Sequence, residues 1–314
     1  MTKINPLNTM VKQAGVFWAL VALLILASLI SPHFLQFTNL VNVLRQISIT
    51  GIISIGMTFV ILTSGIDLSV GSIVGSVSVV SALILKSGGS VGVIVPTALL
   101  IGAALGAVNG LGITIGKIPP FIMTLGTMVA ARGIAMILAN GSPIGWSNTG
   151  TDFSWLGSGS FLHLPSPVWV FALIFIIAAL VLKYTTFGRY VYAIGDSREA
   201  AFLSGINVRK VELITYVING VLSALAALVY VSRLDVGEPT HGTGVELDAI
   251  AIVIIGGTST FGGEGGVKGT LIGAAIIMVL ANLLNLLGVS PFIQQIVKGV
   301  IIISAVLIER QRKH

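Results

Sequence analysis

The run GMTFVILTSGIDLSVGS, residues 56–72, holds an apolar stretch ending at Thr63, a polar turn with Ser64, Gly65 and Asp67, and a second apolar stretch from Leu68. A spanning helix needs about 20 mostly apolar residues, so such an interruption decides where one span stops and the next begins. Two roles for Asp67 stay open. It caps the helix starting at Leu68, or it lies in a break at membrane depth that faces a water-filled path. Open backbone is tolerated there only when it is buried in protein or lines a cavity. The two roles are compatible, because a half-helix N-terminus aimed at a cavity presents donors to whatever passes.

The composition around this stretch points the same way. Of 314 residues, 55% are hydrophobic and 9% charged, against about 25% charged in an ordinary soluble domain. The chain reads as an integral membrane protein. It has no cysteine, which excludes a disulfide framework and a thiolate-bound metal. His33, His163, His241 and His314 are scattered, so no metal site and no cofactor are expected. The net charge of +6 carries less information than where the charges fall, and no nucleic acid is expected as a partner.

Apolar runs occur at about 15–31, 46–63, 69–86, 91–116, 121–139, 167–182, 211–232, 247–257, 267–287 and 291–308. The expected fold is therefore all-α and polytopic, with about ten transmembrane helices including broken or re-entrant segments. The eighth run is too short to cross as a regular helix and is expected to be completed by the glycine-rich chain after it. Residues 1–314 read as one transmembrane domain with a polar loop at 183–210. With both termini cytoplasmic, twelve of the seventeen lysines and arginines fall on the cytoplasmic side, as the positive-inside rule requires. Ser31-Pro32-His33-Phe34 reads as a helix exit and no small-residue cleavage site follows, so the first run is read as a retained span. Trp146 and Trp155 in the outer segment 140–166 suit chain at an interface. Arg132 and Lys298, inside spans, are expected to snorkel.

The loop carries GDSREAAFLSGINV, residues 195–208. Asp196 is placed to cap a short helix, with Glu199 three residues on as a capping box and Gly205 at the C-terminal stop. Phe202 supplies an apolar knob. Such a helix either lies on the membrane surface or serves as a docking peg for a cytoplasmic partner.

EAAFLSG resembles the Glu-Ala-Ala-x-x-x-Gly coupling motif of bacterial ABC importer permeases. RGIAMILANGSPI (132–144), FGRYVYAIGDSREAAFLSGINV (187–208), GTGVELDAIAIVIIGGTSTFGGEGGVKGTLIGA (242–274) and NLLNLLGVSPFIQQIVKGVII (282–302) occur in the order expected of the ribose/xylose/arabinose branch. The resemblance runs from about residue 15 to the end. It implies a permease subunit in the bacterial inner membrane that imports a monosaccharide, ribose first. Its implied partners are a cytoplasmic ATP-binding subunit, an extracytoplasmic sugar-binding protein and a second permease subunit, as a homodimer. Asp196, Arg198, Glu199, Ala200, Ala201, Phe202 and Gly205 would form the contact with the ATPase. Phe261 and Glu264 depart from the branch's usual pattern. No phosphate-binding loop is present, because Gly116-Lys117 is followed by Ile118 and Lys268 is preceded by Val267. The chain is thus expected to have no ATPase site of its own.

A sugar is neutral and rich in hydroxyls, so its path needs donors and acceptors with little fixed charge. Thr63, Ser64, Asp67, Asn109, Asn140, Thr258, Ser259 and Asn282 are the path candidates. Each could equally form an interhelical hydrogen bond. The second break, IIGGTSTFGGEGG (254–266), pairs loosely with the first about 195 residues earlier, and paired interruptions in two halves point to a transport site. The alternative function is a proton-coupled secondary sugar transporter, which would need intramembrane acids as a relay. Only Asp67 and Asp248 are available for that.

Overall fold

A computed structural model describes residues 6–146 and 153–311. The helices are α1 (Pro6–Ile30), α2 (Phe37–Leu62), α3 (Val70–Lys86), α4 (Val91–Thr114), α5 (Pro120–Leu138), α6 (Ser166–Tyr184), α7 (Thr186–Asp196), α8 (Arg198–Leu203), α9 (Val208–Leu234), α10 (Val245–Ile255), α11 (Val267–Leu286) and α12 (Pro291–Gln311). Strands are confined to two pairs of two residues. β1 (Ile144–Gly145) pairs antiparallel with β4 (Val236–Gly237), and β2 (Ser160–Phe161) with β3 (Leu164–Pro165).

A helix covers each of the ten apolar runs. Six of them, α2, α4, α5, α6, α9 and α11, are long and apolar enough to cross a bilayer. α3 and the described parts of α1 and α12 are shorter, and α10 has only 11 residues. α2 starts at Phe37, well before the run expected at 46. Its polar first turns remain helical because Asn39 exchanges two amide hydrogen bonds with Asn282 of α11, at 3.0 and 2.8 Å, and Asn42 accepts from Arg45.

α9 occupies the centre, packed by α2, α3 and α4. Glycine permits its closest approach, to α4. A Cβ on Gly220 would lie 2.1 Å from the carbonyl oxygen of Gly102, and one on Gly106 would lie 2.4 Å from that of Tyr216. The repeat Gly102, Gly106, Gly110 is thus a backbone-to-backbone seam of the small-xxx-small kind. α4, α5 and α6 are strongly apolar, yet mostly exposed, as helices bathed in lipid are. In soluble packing those faces would be buried.

The two tryptophans of the outer segment differ in their surroundings. Trp146 is buried in the core, next to the strand pair that joins residues 144–145 to 236–237, while Trp155 is exposed. The bundle has two ends: a near end with the chain between α6 and α9, and a far end with residues 139–146 and 153–165 and the start of the α9–α10 connection.

Candidate functional site

At the near end the loop forms two helices where the sequence pointed to one. α7 is entered through Thr185, whose Oγ1 accepts from the Gly188 amide at 3.1 Å. Its Gly188, Val191 and Ile194 are buried, every third residue, which sets them along one side of the helix. Asp196 closes α7 and does not cap α8. Ser197 is the cap, its Oγ accepting from Ala200 N at 3.2 Å. Glu199 is therefore one residue too early for a capping box. Gly205, at φ +82°, stops α8: its amide donates to Phe202 O, and Ile206 N donates to Ala201 O. Ala201 is buried. Glu199, Ala200, Phe202 and Leu203 are exposed, Leu203 by 77%. α8 is thus a terminated peg with a free apolar tip.

Two contacts anchor that peg. Arg198 reaches Glu212 of α9 through two hydrogen bonds, Nε to Oε1 at 2.8 Å and Nη2 to Oε2 at 3.2 Å. The carboxylate beside it holds the Arg198 guanidinium above its ordinary pKa. With Arg198 largely exposed, this pair orients α8 more than it stabilises the fold. The second anchor is α7, which touches both chain breaks. The ring hydroxyl of Tyr192 donates to Gly265 O at 2.9 Å. A Cβ on Gly195 would lie 1.9 Å from Leu62 O and 2.3 Å from Gly263 N. The breaks also hold each other: Gly263 N donates to Leu62 O at 3.0 Å, and Ser64 Oγ donates to Phe261 O at 2.6 Å. Beside this junction a cleft of about 480 Å³ opens between Thr63, Ser64, Lys117, Arg198, Arg209 and Tyr216.

The path candidates are not gathered in one place. Asp67 is fully buried. Its Oδ1 accepts from Ser69 N at 2.9 Å and Ser69 Oγ at 2.6 Å, and its Oδ2 from Asn219 Nδ2 at 2.9 Å. Asn109 Nδ2 donates to Ser69 Oγ at 2.8 Å. α3 begins at Val70, two residues later than expected, because Asp67 forms a turn with Ser69 before the helix. Thr63 Oγ1 bonds back to Val60 O. Thr258 Oγ1 accepts from Gly266 N and Ser259 Oγ from Phe261 N, closing their own loop. Asn282 is engaged with Asn39, and Asn140 is exposed at the far end at φ +48°.

Arg132 and Lys298 do not snorkel. Lys298 Nζ pairs with Asp248 of α10 at 2.9 Å, and Arg132 Nη1 donates to the carbonyls of Pro239 and His241, the latter at 2.9 Å. Both cations therefore hold the start of α10 and the chain before it. Sequence reading missed Tyr192, Gly195 and Glu212 as well. A lone tyrosine, glycine or glutamate carries no motif; the Thr185 cap of α7 was missed too, although a threonine just before a helix is a local signal that could have found it.

Residues 39–306 match the family model described as branched-chain amino acid transport system / permease component. The chain is 46% identical over 297 residues to the ribose import permease protein of Escherichia coli K12, covering 94% of this chain and 92% of that protein. It is also 46% identical over 301 residues to the ribose import permease protein of Bacillus subtilis, covering 96% and 94%. The L-arabinose transport system permease protein of Escherichia coli K12 is 35% identical over 301 residues, covering 96% and 91%. No solved structure matches. A helical bundle with paired chain breaks, matched over most of its length, belongs to the family of branched-chain amino acid transport system permease components.

Proposed function

We propose that the chain is the membrane-spanning permease subunit of an ATP-driven ABC importer that carries a monosaccharide, ribose foremost, into the cytoplasm. The observation that carries this reading is the near end: a capped, exposed peg, α8, on a helix, α7, in contact with both chain breaks. A partner that moved α8 would move the breaks with it. The near end is then cytoplasmic, with both termini there. The spans number ten, and α10 crosses together with the irregular chain beside it. The family description names branched-chain amino acids, but identity to the ribose relatives, at 46%, exceeds that to the arabinose relative, at 35%.

A cytoplasmic ATP-binding subunit would dock on α8, a binding protein would deliver sugar at the far end, and a second copy of the permease would complete the path. The chain supplies no nucleotide site of its own. Proton-coupled transport fits the acids poorly: Asp67 is sealed among Ser69 and Asn219, and Asp248 is paired with Lys298. A proton relay needs acids that exchange protons along a pathway.

The test is uptake of radiolabelled ribose into vesicles holding the permease, its ATPase and its binding protein, for wild type, Glu199→Arg and Gly205→Pro. Proline fixes φ near −65°, which the +82° of Gly205 forbids. ATP-dependent uptake lost in both variants, with the protein still in the membrane, is expected. Normal sugar-stimulated ATPase in the variants refutes the peg, and uptake driven by a proton gradient without ATPase establishes the rival.

A further inference from the structure

The chain between α9 and α10 does not stay at the far end. Gly237 lies against Ala82 and Ser78 of α3, and Glu238 N donates to Ser78 Oγ at 3.1 Å. Pro239 O lies 2.5 Å from where a Cβ of Gly75 would be, and Gly242 O lies 2.3 Å from that of Gly71. Ala82, Ser78, Gly75 and Gly71 form one stripe of α3, and residues 237–242 descend along it. At about 1.5 Å per residue the stripe covers about 16 Å, half the thickness of a bilayer's hydrocarbon core at about 30 Å. α10 starts there, at Val245, and its 11 residues cover about 16 Å more.

Residues 238–244 are thus irregular backbone at membrane depth, held by Arg132 from α5 and by Ser78, whose Oγ lies 2.9 Å from His241 Nδ1. Such backbone does not face lipid; it is buried in protein or lines water. Thr240 and Thr243 nevertheless stand exposed on this chain, as does Leu247 on the first turn of α10. Their hydroxyl protons are used inside the loop, Thr240 on Glu238 and Thr243 on Thr240 O. What each hydroxyl still offers outward is lone pairs. Behind them, Glu246 Oε1 accepts from Gly244 N at 3.2 Å, while its buried Oε2 has no partner among the described residues. Beside the apolar Leu247, the open valences that this chain presents outward are the acceptors of Thr240 and Thr243. A polyhydroxylated neutral molecule supplies the matching donors.

We infer that the re-entrant loop 238–244, with Thr240 and Thr243 at its exposed face, lines the aqueous path and contacts the sugar as it passes. This rests on the sugar-permease reading above. Arg132 is a positioning residue that keeps the loop at depth.

The chain has no cysteine, so single cysteines report cleanly. Thr243→Cys and, as a lipid-side control, Leu173→Cys on the exposed face of α6 are assembled with the ATPase and binding protein in vesicles. They are treated with a charged, membrane-impermeant methanethiosulfonate. Because the thiolate is the reacting form and needs water, Thr243→Cys should react about tenfold faster or more than Leu173→Cys. Its modification should stop ATP-dependent ribose uptake while basal ATPase persists, and Thr243→Val should slow uptake with the protein intact. Thr243→Cys that is inert overturns the proposal in favour of a packed interface. Fast modification that leaves uptake unchanged also overturns it. If wild type imports no ribose yet Thr243→Cys reacts fast, the sugar reading fails and the aqueous placement of the loop stands.

Discussion

Gly195→Ala is the most incisive test of the junction between the peg and the two breaks. The added Cβ would sit 1.9 Å from Leu62 O and 2.3 Å from Gly263 N. Both are backbone atoms, so no rotamer relieves the contact. Ordinary contact begins near 3.4 Å, so α7 must separate from the α2 terminus by about 1.5 Å (3.4 − 1.9). Such overpacking costs about 1–3 kcal/mol. The wedge also parts Gly263 N from Leu62 O, now 3.0 Å apart, and that hydrogen bond contributes about 1 kcal/mol. The expected loss is about 2–4 kcal/mol, concentrated where α7 touches both breaks. In the reconstituted complex the variant should stay folded and bind the ATPase, melt at a lower temperature, and import less sugar per ATP hydrolysed. Gly133→Ala, where a Cβ meets nothing within 4 Å, should behave as wild type. Wild-type melting and a wild-type ratio of sugar to ATP in Gly195→Ala would sink the steric argument and the coupling route with it.

Other changes probe separate parts. Tyr192→Phe removes the bond to Gly265 O, worth about 1 kcal/mol, and should lower the ratio of sugar to ATP without changing assembly. Burial pushes the Tyr192 phenol above its ordinary pKa, so it stays a donor below that range, and wild-type uptake should show no falling limb near pH 10 that Tyr192→Phe lacks. Asp67→Ala strands the Ser69 and Asn219 donors in the core, a loss of about 3 kcal/mol or more, to be read as lower melting temperature and membrane yield; Asp67→Asn, which keeps an acceptor, should lose less. Arg132→Ala releases the carbonyls of Pro239 and His241 and should abolish uptake while leaving binding of the ATPase intact, as pull-down would report.

Much of this protein was legible along the chain. Periodicity and length placed a helix over every apolar run, because burial in lipid demands long unbroken apolar segments whatever the neighbours are. Gly205 was readable as a stop, since a helix terminus is a local event within a few residues. The eighth run was readable from its length as a short helix, and α10 has 11 residues. The errors cluster where partners are distant in sequence. Arg132 and Lys298 looked free until the chain before α10 and Asp248 came to meet them, whereas the cap misplaced at Asp196 was a local error, with Ser197 one residue on. Asp67 was recognisable as unusual, but its partner Asn219 lies 152 residues away. Local pattern along the chain was enough for the helices over the apolar runs and for the stop at Gly205, which depend on neighbours within a turn, but not for α7 or for the cap at Ser197. That the two breaks touch, that α7 rests on both, and that the chain before α10 descends along α3 became visible in the folded chain alone. Those contacts depend on which backbones approach closely enough to exclude a side chain, and no local pattern records that.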